Sequence, residues 1–297
     1  LIYYGSRTDF TGFDDGTRDV PGLLADALAT GNRVATGSDF TSAEIQAIGR
    51  DFVNAPLNLL QTQDYMQPNF GIDIAGGRTW DIGAGVDFGV VFVAGYDNSW
   101  RTRTGLQQAG RLDIDQLVVQ TSYDYVSTEN DIGLNFLGGL SLGNEDHQLK
   151  WTNLFVRNVT KEARTREGVD FDAPGSGEVR DDYTEWFERN LFTSQLAGTH
   201  WLMDCDLELS WRGAYALTER DAPYEKVIRY RLDPDGVYRH DTEAQRNSTS
   251  FSELEDEIVS GGADFAWTTA LSDFRDLTVR GGIAYSDNTR NAQRRDF

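Results

Sequence analysis

Cysteine, histidine and proline are scarce in this chain of 297 residues, and each scarcity narrows the possible structures. The single cysteine, Cys205, excludes an internal disulfide and a cluster of thiolate metal ligands. The three histidines, His147, His200 and His240, are far apart in the sequence and fit no zinc motif. Six prolines against 30 glycines, among many short alternating segments, favour a β-rich fold over a helical one.

Long apolar runs and positive charge are also lacking. The longest apolar run, residues 90–94, is far shorter than the ~20 residues of a membrane helix, so any membrane crossing would use strands. Lys and Arg number 27 against 48 Asp and Glu, and this net charge of −21 argues against a nucleic-acid partner. No GxSxG element or nucleophile–base pair is present, so we predict a protein that is not an enzyme and has no cofactor.

Alternation of apolar and polar residues is the main positive signal. It is clearest at residues 82–97, where the even positions are apolar and the odd positions are mostly small or acidic. Residues 130–168 predict two long strands joined by a tight turn at 143–147. Similar alternation recurs at residues 69–78, 207–218, 259–268 and 277–286, with short turns predicted at 203–206 and 272–276.

Long polar segments separate these strands at the other end. Loops are predicted at residues 101–115, 162–185 and 219–257. Residues 11–66 predict a longer connection with two small helices at 21–30 and 42–53, and Ser42 is the expected N-cap of the second. Asp9, Asp14, Asp15 and Asp19 in this region suggest a calcium site, but turn formation with local pairing to Arg18 is the favoured interpretation.

Together these segments predict an all-β fold of about nine strands in an antiparallel up-and-down meander, with long loops that carry short helices. Several strands reach twelve residues, whereas soluble strands usually have ~5 or 6. The polar faces carry charges that a dry protein core would not accept, namely Asp87, Glu208, Arg212, Asp264 and Arg280. We therefore predict a partial transmembrane β-barrel, with a soluble β-sheet protein as the alternative.

Aromatic residues near the strand ends agree with this prediction. Trp80, Trp201 and Trp267 lie near short turns, and Tyr96 and Trp100 lie toward the far ends. Membrane barrels place aromatic side chains in two girdles at the membrane–water interfaces. The pattern therefore predicts two such girdles.

Four motifs, taken in order, resemble the barrel of a TonB-dependent outer-membrane receptor. They are GFDDGTRDVP at 12–21, HQLKWTNLFVRNVTKEAR at 147–164, WFERNLFTSQLAGTH at 186–200 and SELEDEIVSGGADF at 252–265. The resemblance covers nearly the whole chain. It implies a bacterial outer-membrane location, a barrel of 22 strands of which about nine are here, and residues 11–66 as the first large extracellular loop. Residues 1–297 would then be an incomplete barrel domain.

The resemblance also implies partners. They are outer-membrane lipid, a small-molecule ligand of unknown identity, and the TonB complex, reached through a plug domain that this chain does not include. Ligand contacts are expected from a predicted loop that mixes aromatic and cationic side chains: Tyr224, Arg229, Tyr230, Arg231 and Tyr238. Aromatic residues also pack together simply to order a loop, and this alternative stays open.

Three functions follow as hypotheses. The first is a receptor that binds a scarce small ligand and imports it through a gated barrel. The second is a passive porin-like or surface-adhesive barrel, and the third is a soluble β-sheet binding protein.

Overall fold

The chain is all-β. A computed structural model describes residues 1–113, 115–171, 177–202, 206–242, 247–272 and 274–297. Strands hold 69% of the residues and helices hold 9%. Cys205, most of the predicted turn at 203–206 and one residue of the predicted turn at 272–276 lie outside the described residues.

One antiparallel sheet contains all nine strands of the described residues. The strands are β1 Phe70–Asp81, β2 Asp87–Asp113, β3 Gln116–Gly143, β4 His147–Asp170, β5 Glu178–Leu202, β6 Leu207–Leu232, β7 Tyr238–His240, β8 Ser248–Ser272 and β9 Arg275–Asp296. They pair in the order β1-β2-β3-β4-β5-β6-β8-β9, and the short β7 pairs with β6. The predicted antiparallel meander of nine strands is confirmed. The sheet is not closed, so completion into a barrel stays a prediction.

The three predicted polar loops at 101–115, 162–185 and 219–257 are largely wrong. Strands β2, β4, β5, β6 and β8 extend through most of these residues and are 24 to 27 residues long. Charged side chains in these regions pair across neighbouring strands, as Arg101 and Arg103 do with Glu129 at 2.8 and 3.0 Å. Such cross-strand pairs make a polar sequence compatible with a sheet.

The first hairpin turn lies later than the sequence suggests. Strand β1 continues through Trp80 to Asp81, and the chain reverses at residues 82–86. Gly83 and Gly85 both have positive φ there, and the Gly83 N–H donates to the Asp81 carboxylate at 2.7 Å. The alternating strand therefore begins at Asp87 instead of residue 82.

The predicted alternation itself is confirmed by the register. Phe88 pairs with Trp80 and with Leu142, so the apolar positions of neighbouring strands meet on one face of the sheet. Asp87, Glu208, Arg212, Asp264 and Arg280 lie on the opposite face, as predicted. Arg212 and Asp264 pair there at 2.9 Å.

Residues 1–66, here called the N-terminal segment, contain three α-helices after a single turn of 3-10 helix at Asp9–Thr11. They are α1 Gly22–Ala29, α2 Ser42–Asp51 and α3 Ala55–Asn58. The first two confirm the predicted helices. The N-cap of α2 is Thr41 and not Ser42, because Thr41 and Glu44 form a reciprocal capping box.

The N-terminal segment packs on the sheet. Its apolar side chains Tyr3, Leu24, Ile48, Phe52 and Leu57 form a buried cluster with Ala163 of β4 and Tyr224 of β6. A second cluster joins Ile132, Val159 and Trp186 on the same face, beneath Gly12 and Arg18 of the segment. The predicted long connection is therefore an ordered layer over part of the sheet. Within the described residues, none of the helices combines the length and the apolar composition needed to cross a membrane.

Candidate functional site

The face that carries the N-terminal segment also carries a continuous apolar surface, which we call the apolar band. It consists of every second residue, starting with the first, in eight strand spans. The spans are 70–80 in β1, 88–96 in β2, 134–142 in β3, 149–155 in β4, 192–202 in β5, 207–217 in β6, 259–267 in β8 and 277–285 in β9. Seven of these eight spans are 9 or 11 residues long. A tilted membrane strand needs ~9 to 11 residues.

The apolar band is exposed in the chain as it stands. Phe92 and Phe136 expose 43% and 47% of their surfaces, and Ile283 exposes 76%. Arg78 is the only Lys, Arg, Asp or Glu on this face within the eight spans, and its guanidinium lies 5.5 Å from the Trp80 ring. An apolar surface that crosses eight strands is far larger than the patches that soluble monomers usually expose.

The edge of the apolar band runs obliquely across the strands. In β2 the first polar residue beyond the band is Asn98, which pairs with Ile132 of β3. In β9 it is Asp287, which the strand register aligns with Gly138 of β3. The edge thus shifts by 6 residues of β3 over 6 strand-to-strand steps, from 132 to 138. At ~3.3 Å per residue and ~4.8 Å per strand spacing, this slope equals a strand tilt of about 35°.

The edge near the short turns shifts in the same direction. The register aligns Trp80 of β1 with Gly198 of β5. Trp267 of β8 pairs with Leu207 of β6, which pairs with Leu202 of β5, four residues beyond Gly198. Both edges of the apolar band therefore cross the strands obliquely and in the same direction.

Aromatic residues mark the edge near the turns, although not all of those expected. Trp80 and Trp267 lie there on the band face, as predicted. Trp201 also lies near a short turn, but it pairs with Glu208 and lies on the opposite face, so it is not part of the band edge. Trp151 and Trp211 belong to the band and were missed, because each lies inside a strand and only the register identifies its face.

A buried ionic cluster holds the N-terminal segment on the sheet just beyond the apolar band. The Arg18 guanidinium donates to both oxygens of Asp9 at 2.8 and 2.9 Å, and Lys161 of β4 donates to Asp9 at 2.7 Å. Arg18 also pairs with Asp14 and lies 4.2 Å from the Trp186 ring of β5. We call Asp9, Asp14, Arg18 and Lys161 the ionic anchor.

Burial and charge act in opposite directions on the ionic anchor. Burial raises the pKa of Asp9, but the hydrogen bonds and charges of Arg18 and Lys161 outweigh it and hold the pKa below its ordinary value. Burial lowers the pKa of Lys161, and the attraction of Asp9 only partly offsets this effect. Each charge is therefore tolerated because its partners are present.

The aspartates of the first predicted loop form turns and ion pairs, which confirms the favoured interpretation. Asp14 accepts from the Gly16 N–H at 2.8 Å, and Asp15 accepts from the Thr17 N–H at 3.2 Å. Among the described residues, no group of three or more His, Cys, Asp or Glu side chains is arranged to hold a metal ion.

The five predicted ligand contacts do not lie in one loop. Tyr224, Arg229, Tyr230 and Arg231 belong to β6, and Tyr238 belongs to β7. The three tyrosines lie on the face of the apolar band, whereas Arg229 and Arg231 lie on the opposite face. The structure therefore does not bring the five side chains together.

Two of the five are buried and satisfied within the protein. Tyr224 is 4% exposed, and its hydroxyl donates to the Phe52 carbonyl at 2.5 Å. Arg229 is 3% exposed; it pairs with Asp170 at 2.7 Å and with both oxygens of Asp181 at 2.6 and 2.7 Å. These contacts hold the N-terminal segment and the ends of the long strands.

The other three contact neighbouring polar groups. The Arg180 guanidinium lies 4.6 Å from the Tyr230 ring and 5.2 Å from the Tyr238 ring. Arg231 pairs with Asp241 at 3.1 Å. A ligand-binding role for Tyr230, Arg231 and Tyr238 stays a prediction.

An acidic cavity of about 560 Å³ is lined by residues of β5, β6, β8 and β9 just beyond the apolar band. Its lining includes Glu188, Asp221, Glu253 and Glu255. Burial, together with the charges of Glu188 and Glu253, raises the pKa of Asp221 to about 6. The ionised form of Asp221 therefore opposes folding at neutral pH.

Replacing Asp221 with asparagine is expected to stabilise the protein at pH 7.5 by about 1 to 2 kcal/mol. The folded-state pKa of about 6 is above the ordinary value of 3.8, so the ionised carboxylate costs stability above pH 6 and costs nothing below pH 3.8. The gain should therefore disappear as the pH falls from 6 to below 4. Denaturant unfolding at several pH values measures it, and Asp64→Asn, at an exposed position, is the control. An equal gain at pH 4 and pH 7.5 would contradict the prediction.

Comparisons of the chain with models of protein families, with curated proteins and with solved structures found no match.

Proposed function

We propose that this chain is part of the wall of an outer-membrane β-barrel and that the barrel is a TonB-dependent receptor for a small ligand. Lipid would cover the apolar band. The opposite face, with its glycines and paired charges, would line the lumen. A plug domain would join the barrel to the TonB complex.

The oblique apolar band carries this proposal. In a membrane barrel the strands tilt by ~35 to 45°, so a level membrane surface crosses successive strands at shifted positions. The shift of 6 residues over 6 steps corresponds to a tilt of about 35°. At this tilt, spans of 9 to 11 residues are roughly 22 to 27 Å tall, close to the ~25 Å apolar belt of outer-membrane barrels. In a soluble sheet, no flat membrane surface sets where the apolar residues of each strand end.

A receptor is favoured over a passive pore by the resemblance of the four motifs to TonB-dependent receptors. The long strands beyond the apolar band support the same choice. Strands β2 to β6 and β8 extend for ten or more residues past the band and carry the N-terminal segment with them. This extension gives a large ordered surface outside the membrane that can meet a ligand.

The test is membrane fractionation of the full-length gene product, followed by gel electrophoresis with and without boiling. We expect an outer-membrane protein whose mobility shifts on heating, because a closed barrel resists detergent until it is boiled. A soluble product without a heat shift would overturn the proposal. A heat-shifted barrel encoded without a preceding plug domain would retain the barrel and overturn the receptor.

A further inference from the structure

Two arginines face each other on neighbouring strands. Arg189 of β5 pairs directly with Arg220 of β6 in the sheet register, and both lie on the face opposite the apolar band. Side chains at directly paired positions have Cβ atoms ~4.5 to 5.5 Å apart, and like charges placed in this way repel. The pair therefore costs stability in the unliganded protein.

Both guanidiniums lie near one aromatic ring. The guanidinium carbon of Arg189 is 4.4 Å from the centre of the Phe187 ring, and that of Arg220 is 5.6 Å from the same point. The two cationic groups are therefore no more than about 10 Å apart, since each is fixed relative to one ring. Stacking on the ring limits their motion and leaves their N–H groups free to donate.

Neither arginine forms an ion pair with an acidic side chain among the described residues, even though Arg220 lines the acidic cavity and acids outnumber bases in this chain by 48 to 27. Arg212, on the same face, pairs with Asp264 at 2.9 Å. Asp256 of β8, diagonal to Arg220, is already paired with Arg290. Both Arg189 and Arg220 are exposed, so a solute can reach them.

We propose that Arg189 and Arg220 form a binding site for a small molecule that carries carboxylate or phosphate groups. A guanidinium donates two parallel N–H groups to such an oxyanion, and two guanidiniums together balance a charge of about −2. The bound anion removes the repulsion within the pair. This site deepens the proposed function and rests on it only for the role of the anion as the receptor's ligand.

Sequence reasoning missed this site for a physical reason. Residues 189 and 220 are 31 positions apart, and both were assigned near the ends of predicted strands or in a loop. Only the strand register brings them together. One sequence signal could have indicated the site. The motif WFER places Arg189 two residues after Phe187, and thus on the same face of a strand.

The test is thermal unfolding of the detergent-purified full-length gene product with increasing citrate or inorganic phosphate, at an ionic strength held constant with sodium chloride. Because a ligand that binds only the folded protein stabilises it, we expect a saturable rise in Tm for the unchanged protein. Arg189→Gln and Arg220→Gln should each weaken the apparent affinity by about tenfold or more. Without the anion, neither variant should be less stable than the unchanged protein, since the repulsion is gone.

Arg212→Gln is the matched control, because it removes a guanidinium from the same face without altering the pair. It should leave the apparent affinity unchanged. Absence of a saturable rise in Tm, or equal affinity in the double variant Arg189→Gln/Arg220→Gln, would overturn the site. An outer-membrane barrel without this binding would refute the site alone. A soluble protein that binds anions through the pair would support the site and refute the receptor.

Discussion

Replacing Arg18 with alanine is expected to lower the free energy of unfolding by about 3 to 5 kcal/mol. Arg18 is 2% exposed and donates to both oxygens of Asp9, which is itself only 10% exposed. The substitution leaves the Asp9 carboxylate buried with Lys161 as its one remaining cationic partner. Removing one member of a buried ionic group costs far more than the same change at the surface.

Loss of packing adds to the loss of charge. The Arg18 guanidinium covers the Trp186 ring at 4.2 Å, and Trp186 is 1% exposed in the intact protein. Trp186 lies on β5 and Lys161 lies on β4, so Arg18 connects the N-terminal segment to two strands at once. We therefore expect the N-terminal segment to loosen before the sheet does.

Denaturant unfolding measures the total effect, and limited proteolysis measures the loosening of residues 1–66. Arg33→Ala is the control, because Arg33 is an exposed arginine of the same segment. If Arg18→Ala and Arg33→Ala unfold at the same denaturant concentration, the ionic anchor does not hold the segment.

Alternation predicted the central parts of β1, β2, β3, β6, β8 and β9 correctly, because a period of two is a property of the sequence alone. The apolar residues of 88–96 and 259–267 lie on one face, as their spacing indicates. The helices α1 and α2 were also predictable, since each is a local element, and α2 begins with a capping box.

Cross-strand contacts were not predictable. The charged outer parts of β4 and β5 were predicted to form a loop. Arg166 and Asp181 form an ion pair at 2.9 Å there because the register of the two strands places them opposite each other. For the same reason the sequence suggested one ligand cluster, whereas Tyr224 and Arg229 lie on opposite faces, separated by an irregularity in β6.

Replacing Phe92 with arginine is expected to cost about 2 to 4 kcal/mol of folding free energy in a bilayer. Phe92 is the middle residue of the 88–96 span, so it would lie near the centre of the membrane. Its ring lies over Gly76 of β1, where a Cβ atom would come within 2.7 Å of it. Val90→Arg, one position nearer the turn on the same face, should cost somewhat less.

The neighbouring residue provides the matched control. Val91 is 45% exposed, close to the 43% of Phe92, but it lies on the opposite face of the same strand. If that face lines a wet lumen, Val91→Arg should change the folding free energy by no more than about 0.5 kcal/mol. Equilibrium refolding of the full-length gene product into lipid vesicles from urea measures both variants.

Val90 and Val91 give the cleanest comparison of the two faces, because they are the same residue type and point to opposite sides of one strand. Phe92 is larger than Val91 and packs over Gly76, so part of any difference between those two positions reflects lost packing. If water covers both faces, arginine at positions 90 and 91 should cost little and about equally. A barrel places Val90 in hydrocarbon and Val91 in water, so Val90→Arg should then be costly and Val91→Arg should not. Since adjacent residues of a strand always face opposite sides, an unequal cost at these two positions reports different surroundings on the two faces of one sheet.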